Sequence, residues 1–141
     1  MPKRSAGLLM HRRGGTDLEV FLVHPGGPFW AKKDEGAWSI PKGQYEEGED
    51  ALDAARREFH EETGFIADGI FLELGVIKQA GGKTVAAWAF EGDCDPRHLK
   101  SNLCEIEWPP GSKRPIEIPE VNRGGWFSIP NAKTKGSTIQ G

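Results

Sequence analysis

The chain has 141 residues, 37% of them hydrophobic and 28% charged, with a formal net charge of −3. This is the composition of one globular domain over residues 1–141, and it excludes a disordered polymer; the acidic balance excludes a nucleic-acid duplex as the expected partner, since duplex binding runs on a basic surface. No apolar stretch approaches membrane-spanning length, none follows Met1–Ser5 as a secretion signal would require, and two cysteines, Cys94 and Cys104, make no disulfide framework, so a cytoplasmic protein is expected.

In chain order, Ser5–Met10 is a short apolar run and Leu18–His24 (LEVFLVH) is rich in branched and aromatic residues. The turn signal Arg13–Asp17 between them predicts a β-hairpin. His24–Trp30 (HPGGPFW) is a loop by every breaker rule, and Trp38-Ser39-Ile40 is a short extended piece held out of the helical region by Pro41. Ala51–Thr63 then runs without Gly or Pro. Acids crowd its entrance, Gly64 stops it, and Leu52, Ala55 and Phe59 recur at core spacing. Phe71–Ile77 and Thr84–Phe90 read as strands joined at Gly81-Gly82, and Ile116–Ile118 and Gly125–Ser128 as short strand-like pieces. Several strands around one long helix predict an α+β domain with a mixed sheet.

The helix carries Glu58, Glu61 and Glu62 at i, i+3 and i+4. Like charges so spaced cost roughly 0.2–0.5 kcal/mol per pair, and the negative end of the helix dipole opposes the last two by about 0.3–1 kcal/mol each. The bland alternative is a solvated acidic face relieved by Asp53–Arg57 and Arg57–Glu61 pairs. The sharp one is a cation site, and all-oxygen ligands select a hard ion, Mg²⁺ or Mn²⁺. Ala51 and Ala54 continue the same face, where small side chains would leave room for an approaching group. Pro41-Lys42-Gly43-Gln44 sets a rigid turn, a cation and a glycine just ahead of the acids, which suits a phosphate held between lysine and metal.

Residues 43–65, GQYEEGEDALDAARREFHEETGF, resemble the Nudix box G-x5-E-x7-R-E-U-x-E-E-x-G-U, where U is apolar. Gly43, Glu49, Arg57, Glu58, Glu61, Glu62 and Gly64 fall on its fixed positions, and Phe59 and Phe65 fill its apolar ones. The resemblance implies an α/β/α sandwich holding a loop–helix–loop site, and hydrolysis of a phosphoanhydride bond in a nucleoside triphosphate or dinucleoside polyphosphate. Glu58, Glu61 and Glu62 would hold Mg²⁺ with help from the Gly43 carbonyl. Arg57 and Glu49 would brace the loop on the helix. A further acid would come from a downstream loop: Glu120 first, Glu105 and Glu107 after it. Nucleotide sugars, diphosphoinositols and a Nudix-fold module that binds without turnover are the alternatives.

For the small-molecule nucleotide itself, Lys42 is the candidate phosphate contact and Phe29 and Trp30 are the candidate stacking residues, followed by Trp38. His24 reads as a structural histidine rather than a catalytic one. Pro130–Gly141 offers one helical turn and few apolar side chains, so one sheet face is expected to lack cover. Self-association as a homodimer, or a longer polypeptide, would supply it.

Overall fold

The computed structural model describes residues 4–15, 17–29, 31–34, 36–78 and 82–135. Strands β1 (Arg4–Gly14) and β2 (Asp17–Pro25) form the expected hairpin, antiparallel from His11↔Val20 to Gly14↔Asp17. The other half of that edge of β1 belongs to β3 (Lys42–Gln44), paired from Ser5↔Gln44 to Gly7↔Lys42. Lys42–Gln44, read from sequence as part of a rigid turn with a glycine, is therefore a short strand. Gly7 is needed at this fork, because a Cβ there would lie 2.7 Å from Lys42 Cβ and 2.8 Å from the Pro41 carbonyl oxygen.

On its other side β1 runs parallel to β5 (Thr84–Glu91), and β4 (Leu72–Lys78) adds antiparallel to β5 as an edge. Strand β8 (Val121–Ser128) adds antiparallel to β2 at the opposite edge. The sheet order β4-β5-β1-β2-β8 contains one parallel pair among antiparallel ones, which is the mixed sheet expected.

Helix α1 (Ala51–Thr63) starts at Asp50, whose carboxylate accepts from the Asp53 N–H at 3.0 Å, and ends at Gly64, whose φ of 80° makes a left-handed cap. Its buried Ala54, Ala55 and Phe59 join Ala6, Leu8, Met10, Phe21 and Phe90 in the larger core cluster. Ala54 is fully buried, with Ala51 packed beside it. Both alanines thus serve the packing of the helix onto the sheet.

The second face is better covered than the sequence suggested. Residues 37–40 cross it, pinned by the Val23↔Ser39 bridge. Trp38 and Ile40 pack there with Val20, Leu22 and Ala87, joined by Phe127 and Ala132. Ala132 belongs to α2 (Ile129–Lys135), tied down by Trp38 N–H to the Lys135 carbonyl at 3.0 Å and by the Lys135–Asp34 ion pair. The ground for expecting self-association through this face is thereby removed over β2. Exposed apolar side chains gather instead at edge strand β4, where Leu72, Leu74 and Val76 are 61%, 55% and 66% exposed. At the edge of the sheet, these side chains lack cover.

One hairpin was not foreseen as such. β6 (Leu103–Glu107) pairs with β7 (Pro115–Pro119) outside the main sheet. Glu105 and Glu107 on the exposed side of β6 weaken its strand signal, while Cys104 and Ile106 meet Ile118 and Ile116 across the pair.

Candidate active site

Strand β3 and helix α1 bring the box together. Glu58 and Glu62 lie one turn apart on the side of α1 that faces β3, and they are only 8% and 6% exposed. A solvated acidic face is thereby ruled out for these two. The hairpin β6–β7 ends in Glu120, immediately before β8, and carboxylate oxygens of Glu58, Glu62 and Glu120 all lie within 4.8 Å of one another. Gly43 sits against this cluster, and a Cβ on it would fall inside the Glu58 carboxylate. Among the described residues, Glu105 and Glu107 stand outside the group, and Glu107 accepts the Gly111 N–H at 2.5 Å instead.

Glu61 takes a different direction. Its carboxylate meets the Arg57 guanidinium at 3.3 Å. Arg57 also forks onto Glu49 through Nε and Nη2 at 3.1 and 3.2 Å, and reaches Glu58 through Nη1 at 3.0 Å. One guanidinium thus joins the loop before the helix to an acid of the cluster. These partners raise the Arg57 pKa further, so it keeps its charge at every working pH.

The electrostatics show a site short of positive charge. Burial, followed by the neighbouring Glu120 and Glu58, pushes the Glu62 carboxyl up to about 8, even though Lys42 contributes its positive charge and a backbone N–H bond. Burial and Glu61 also raise Glu58. Lys42 is itself lowered, chiefly by burial. Because Glu62 binds its proton more tightly folded than unfolded, its contribution to stability is fully present below about pH 4.5 and is lost as pH rises through about 8. The metal-free protein should therefore melt at falling temperature across that window, and Mg²⁺ should restore the loss. Melting temperatures recorded between pH 5 and 8, with and without Mg²⁺, check both halves.

The donor set fits a hard divalent cation. Three carboxylates converge, two of them buried, while Arg57 reaches Glu58 and Lys42 acts on Glu62. No cysteine or histidine joins them among the described residues.

The remaining candidates divide. Trp30 lies outside the described residues. Phe29 is 56% exposed on the loop after β2, with the Lys33 ammonium 4.3 Å from its ring centroid. The loop begins beside the cluster, for the Gly26 N–H donates to the Glu120 carbonyl at 3.0 Å. His24 anchors its far side: it is fully buried, with Nε2 2.5 Å from the Lys33 carbonyl and Nδ1 3.0 Å from Asn122 Oδ1. Trp38 is 6% exposed, its indole N–H donating to Asp34 at 2.8 Å, so it packs and does not face a ligand. One residue of the site's surroundings escaped the sequence reading altogether. Asn102 bonds both α1 and Glu120, and only the fold shows it, because no motif marks the position.

A mixed sheet carrying a strand–loop–helix cradle with clustered acids is the arrangement that comparison with known proteins assigns to a family. A family model described as the NUDIX domain matches residues 1–136, and the chain belongs to the Nudix family of pyrophosphohydrolases. An uncharacterized 17.7 kDa protein of Enterobacteria phage T4 is 34% identical over 125 residues, covering 86% of this chain and 80% of that one. The asymmetrical bis(5'-nucleosyl)-tetraphosphatase of Rattus norvegicus is 31% identical over 103 residues, covering 64% of this chain and 66% of the rat protein. Among solved structures, the NUDIX domain of Shewanella oneidensis NrtR complexed with ADP ribose aligns with a TM-score of 0.66 at 14% identity, covering 97% of this chain and 80% of that one. A C. elegans Ap4A hydrolase binary complex aligns with a TM-score of 0.61 at 20% identity, covering 91% and 82%. At these identities the two structures establish a shared fold. Among the described residues no helix is long and apolar enough to cross a membrane.

Proposed function

We propose that this chain hydrolyses a phosphoanhydride bond in a nucleoside polyphosphate, a nucleoside triphosphate or a dinucleoside polyphosphate, using Mg²⁺ or Mn²⁺. The observation that carries this reading is the trio of carboxylates on Glu58, Glu62 and Glu120, seated against Gly43. The likeness to the rat tetraphosphatase favours the dinucleoside branch.

Glu58, Glu62 and Glu120 would hold the cation, with the Gly43 backbone as a further oxygen donor. When bound, the cation neutralises anhydride oxygens and makes water more acidic. Lys42, whose charge already faces Glu62, turns to a phosphate and offsets negative charge developing on its oxygens. Arg57 stays on Glu49 and Glu58 and keeps the loop and helix in register. Glu61, whose carboxylate meets Arg57, is assigned to the same set by its place in the box. A cluster carboxylate takes a proton from the attacking water. The water oxygen then bonds to phosphorus, the bridging P–O bond breaks, and the phosphorylated leaving group departs with its electron pair. Phe29, and Trp30 beside it in sequence, offer stacking surface for a base.

Incubation with Mg²⁺ and a panel of nucleoside triphosphates, dinucleoside polyphosphates, nucleotide sugars and diphosphoinositols, with products identified, tests the assignment. Turnover should be fastest among the first two classes. Preference for a sugar nucleotide or an inositol would move the substrate, and binding without turnover of any compound would identify a sensor module. Phe29→Ala should raise KM roughly tenfold at unchanged kcat, as expected for a contact made equally in ground and transition states. Unchanged KM would remove Phe29 from the substrate site.

A further inference from the structure

We infer that Asn102 is the positioning residue that sets Glu120 against the box helix, an inference that rests on reading Glu120 as a ligand of the cation. Asn102 lies in the extended stretch between α1's far end and β6, and it uses three groups in three directions. Its backbone N–H donates to the Glu61 carbonyl at 2.7 Å. That carbonyl sits in the last turn of α1, where no intrahelical donor follows. Its own carbonyl accepts the Glu120 N–H at 3.0 Å. Its side-chain Nδ2 donates to Glu120 Oε1 at 3.2 Å.

An ionised carboxylate only accepts hydrogen bonds, so the amide nitrogen must be the end that faces Glu120. An aspartate here would have no proton to give and would add a fourth negative charge. The neighbours reinforce the same joint: Lys100 N–H donates to the Thr63 carbonyl at 2.8 Å, and Ser101 Oγ accepts the Val121 N–H at 3.0 Å. Glu58 and Glu62 are fixed by being on one helix, whereas Glu120 arrives from a hairpin outside the main sheet. Asn102 joins these two bodies and fixes one carboxylate oxygen, leaving the other for the cation.

The test is a calorimetric titration of the metal-stripped full chain with Mn²⁺, made on wild type, Asn102→Ala, Glu120→Gln and the double variant. Groups that orient a metal ligand typically contribute ten- to a hundredfold in affinity, so Asn102→Ala should weaken Mn²⁺ by roughly that range. Because Asn102 acts through Glu120, the double variant should bind no more weakly than Glu120→Gln alone. Additive losses, or wild-type affinity in Asn102→Ala beside a weakened Glu120→Gln, would overturn the inference. Wild-type affinity in Glu120→Gln would instead remove Glu120 from the ligand set, and the inference with it. Should Asn102→Ala fail to fold, Asn102→Ser keeps a small polar side chain too short to reach Glu120. It must show the same loss, and wild-type affinity in it is equally fatal.

Discussion

Glu62→Gln should lower turnover by about a hundred- to a thousandfold while leaving the metal-free protein at least as stable as wild type. The side chain is buried beside two other carboxylates, and its carboxyl is held at about 8 by desolvation and by those neighbours. A carboxylate so placed costs folding energy when ionised; it gains a favourable role only with a cation. Glutamine has nearly the same volume, and its carbonyl can still accept the Lys42 backbone N–H. Substitution therefore removes repulsion without opening a cavity, and it removes a cation ligand. Melting curves at pH 8 should place the metal-free variant level with or above wild type, and added Mg²⁺ should stabilise the variant less. A variant that unfolds, or that turns over normally, would show that Glu62 is a structural acid.

Arg57→Ala should give the opposite pattern, losing stability and activity together. The guanidinium forks onto Glu49 and also touches Glu58 and Glu61, so its removal leaves three acids facing one another. Arg57 is 41% exposed on its side chain, so solvent screens much of this; Glu58, at 11%, receives less relief. A loss of about 1–3 kcal/mol is expected from hydrogen bonds to charged groups at such a site. Turnover should fall at least tenfold, because Glu58 loses a group that orients it. Arg57→Lys should recover little, since an ammonium cannot fork onto Glu49 and still reach Glu58. Denaturant titration and steady-state rates on the same samples measure both effects. If Arg57→Ala is silent while Glu62→Gln unfolds the chain, the two roles are reversed.

Local signals in the chain carried much of the architecture. The β1–β2 hairpin, helix α1 with its glycine stop, and strands β4 and β5 each follow from periodicity and turn chemistry within about a dozen residues. The box residues were legible because their spacing is fixed on one helix. Long-range geometry was not legible. That Glu58 and Glu62 turn inward while Glu61 turns to Arg57 depends on where β3 docks. That docking depends in turn on β1 being shared between two strands. Trp38 ranked after Phe29 and Trp30 for stacking, since its place before Ser39-Ile40 suits packing equally well, and the bridge at Ser39 carries it into the second core cluster. The α2 helix was underestimated because its hold on the sheet comes from single contacts, Ala132 and Lys135, and not from an apolar stripe. Asn102 is the sharpest case, a short polar residue whose two partners, Glu61 and Glu120, lie 41 and 18 positions away in the chain.

The most direct measurement of the central claim is product release from the preferred nucleotide by metal-stripped enzyme, as Mg²⁺ is titrated back from chelator. Turnover should be absent in chelator and return saturably with Mg²⁺, and Glu62→Gln should shift that saturation to higher Mg²⁺. Full turnover without a divalent cation, or a wild-type Mg²⁺ dependence in Glu62→Gln, would contradict the assignment of Glu58, Glu62 and Glu120 as the cation site.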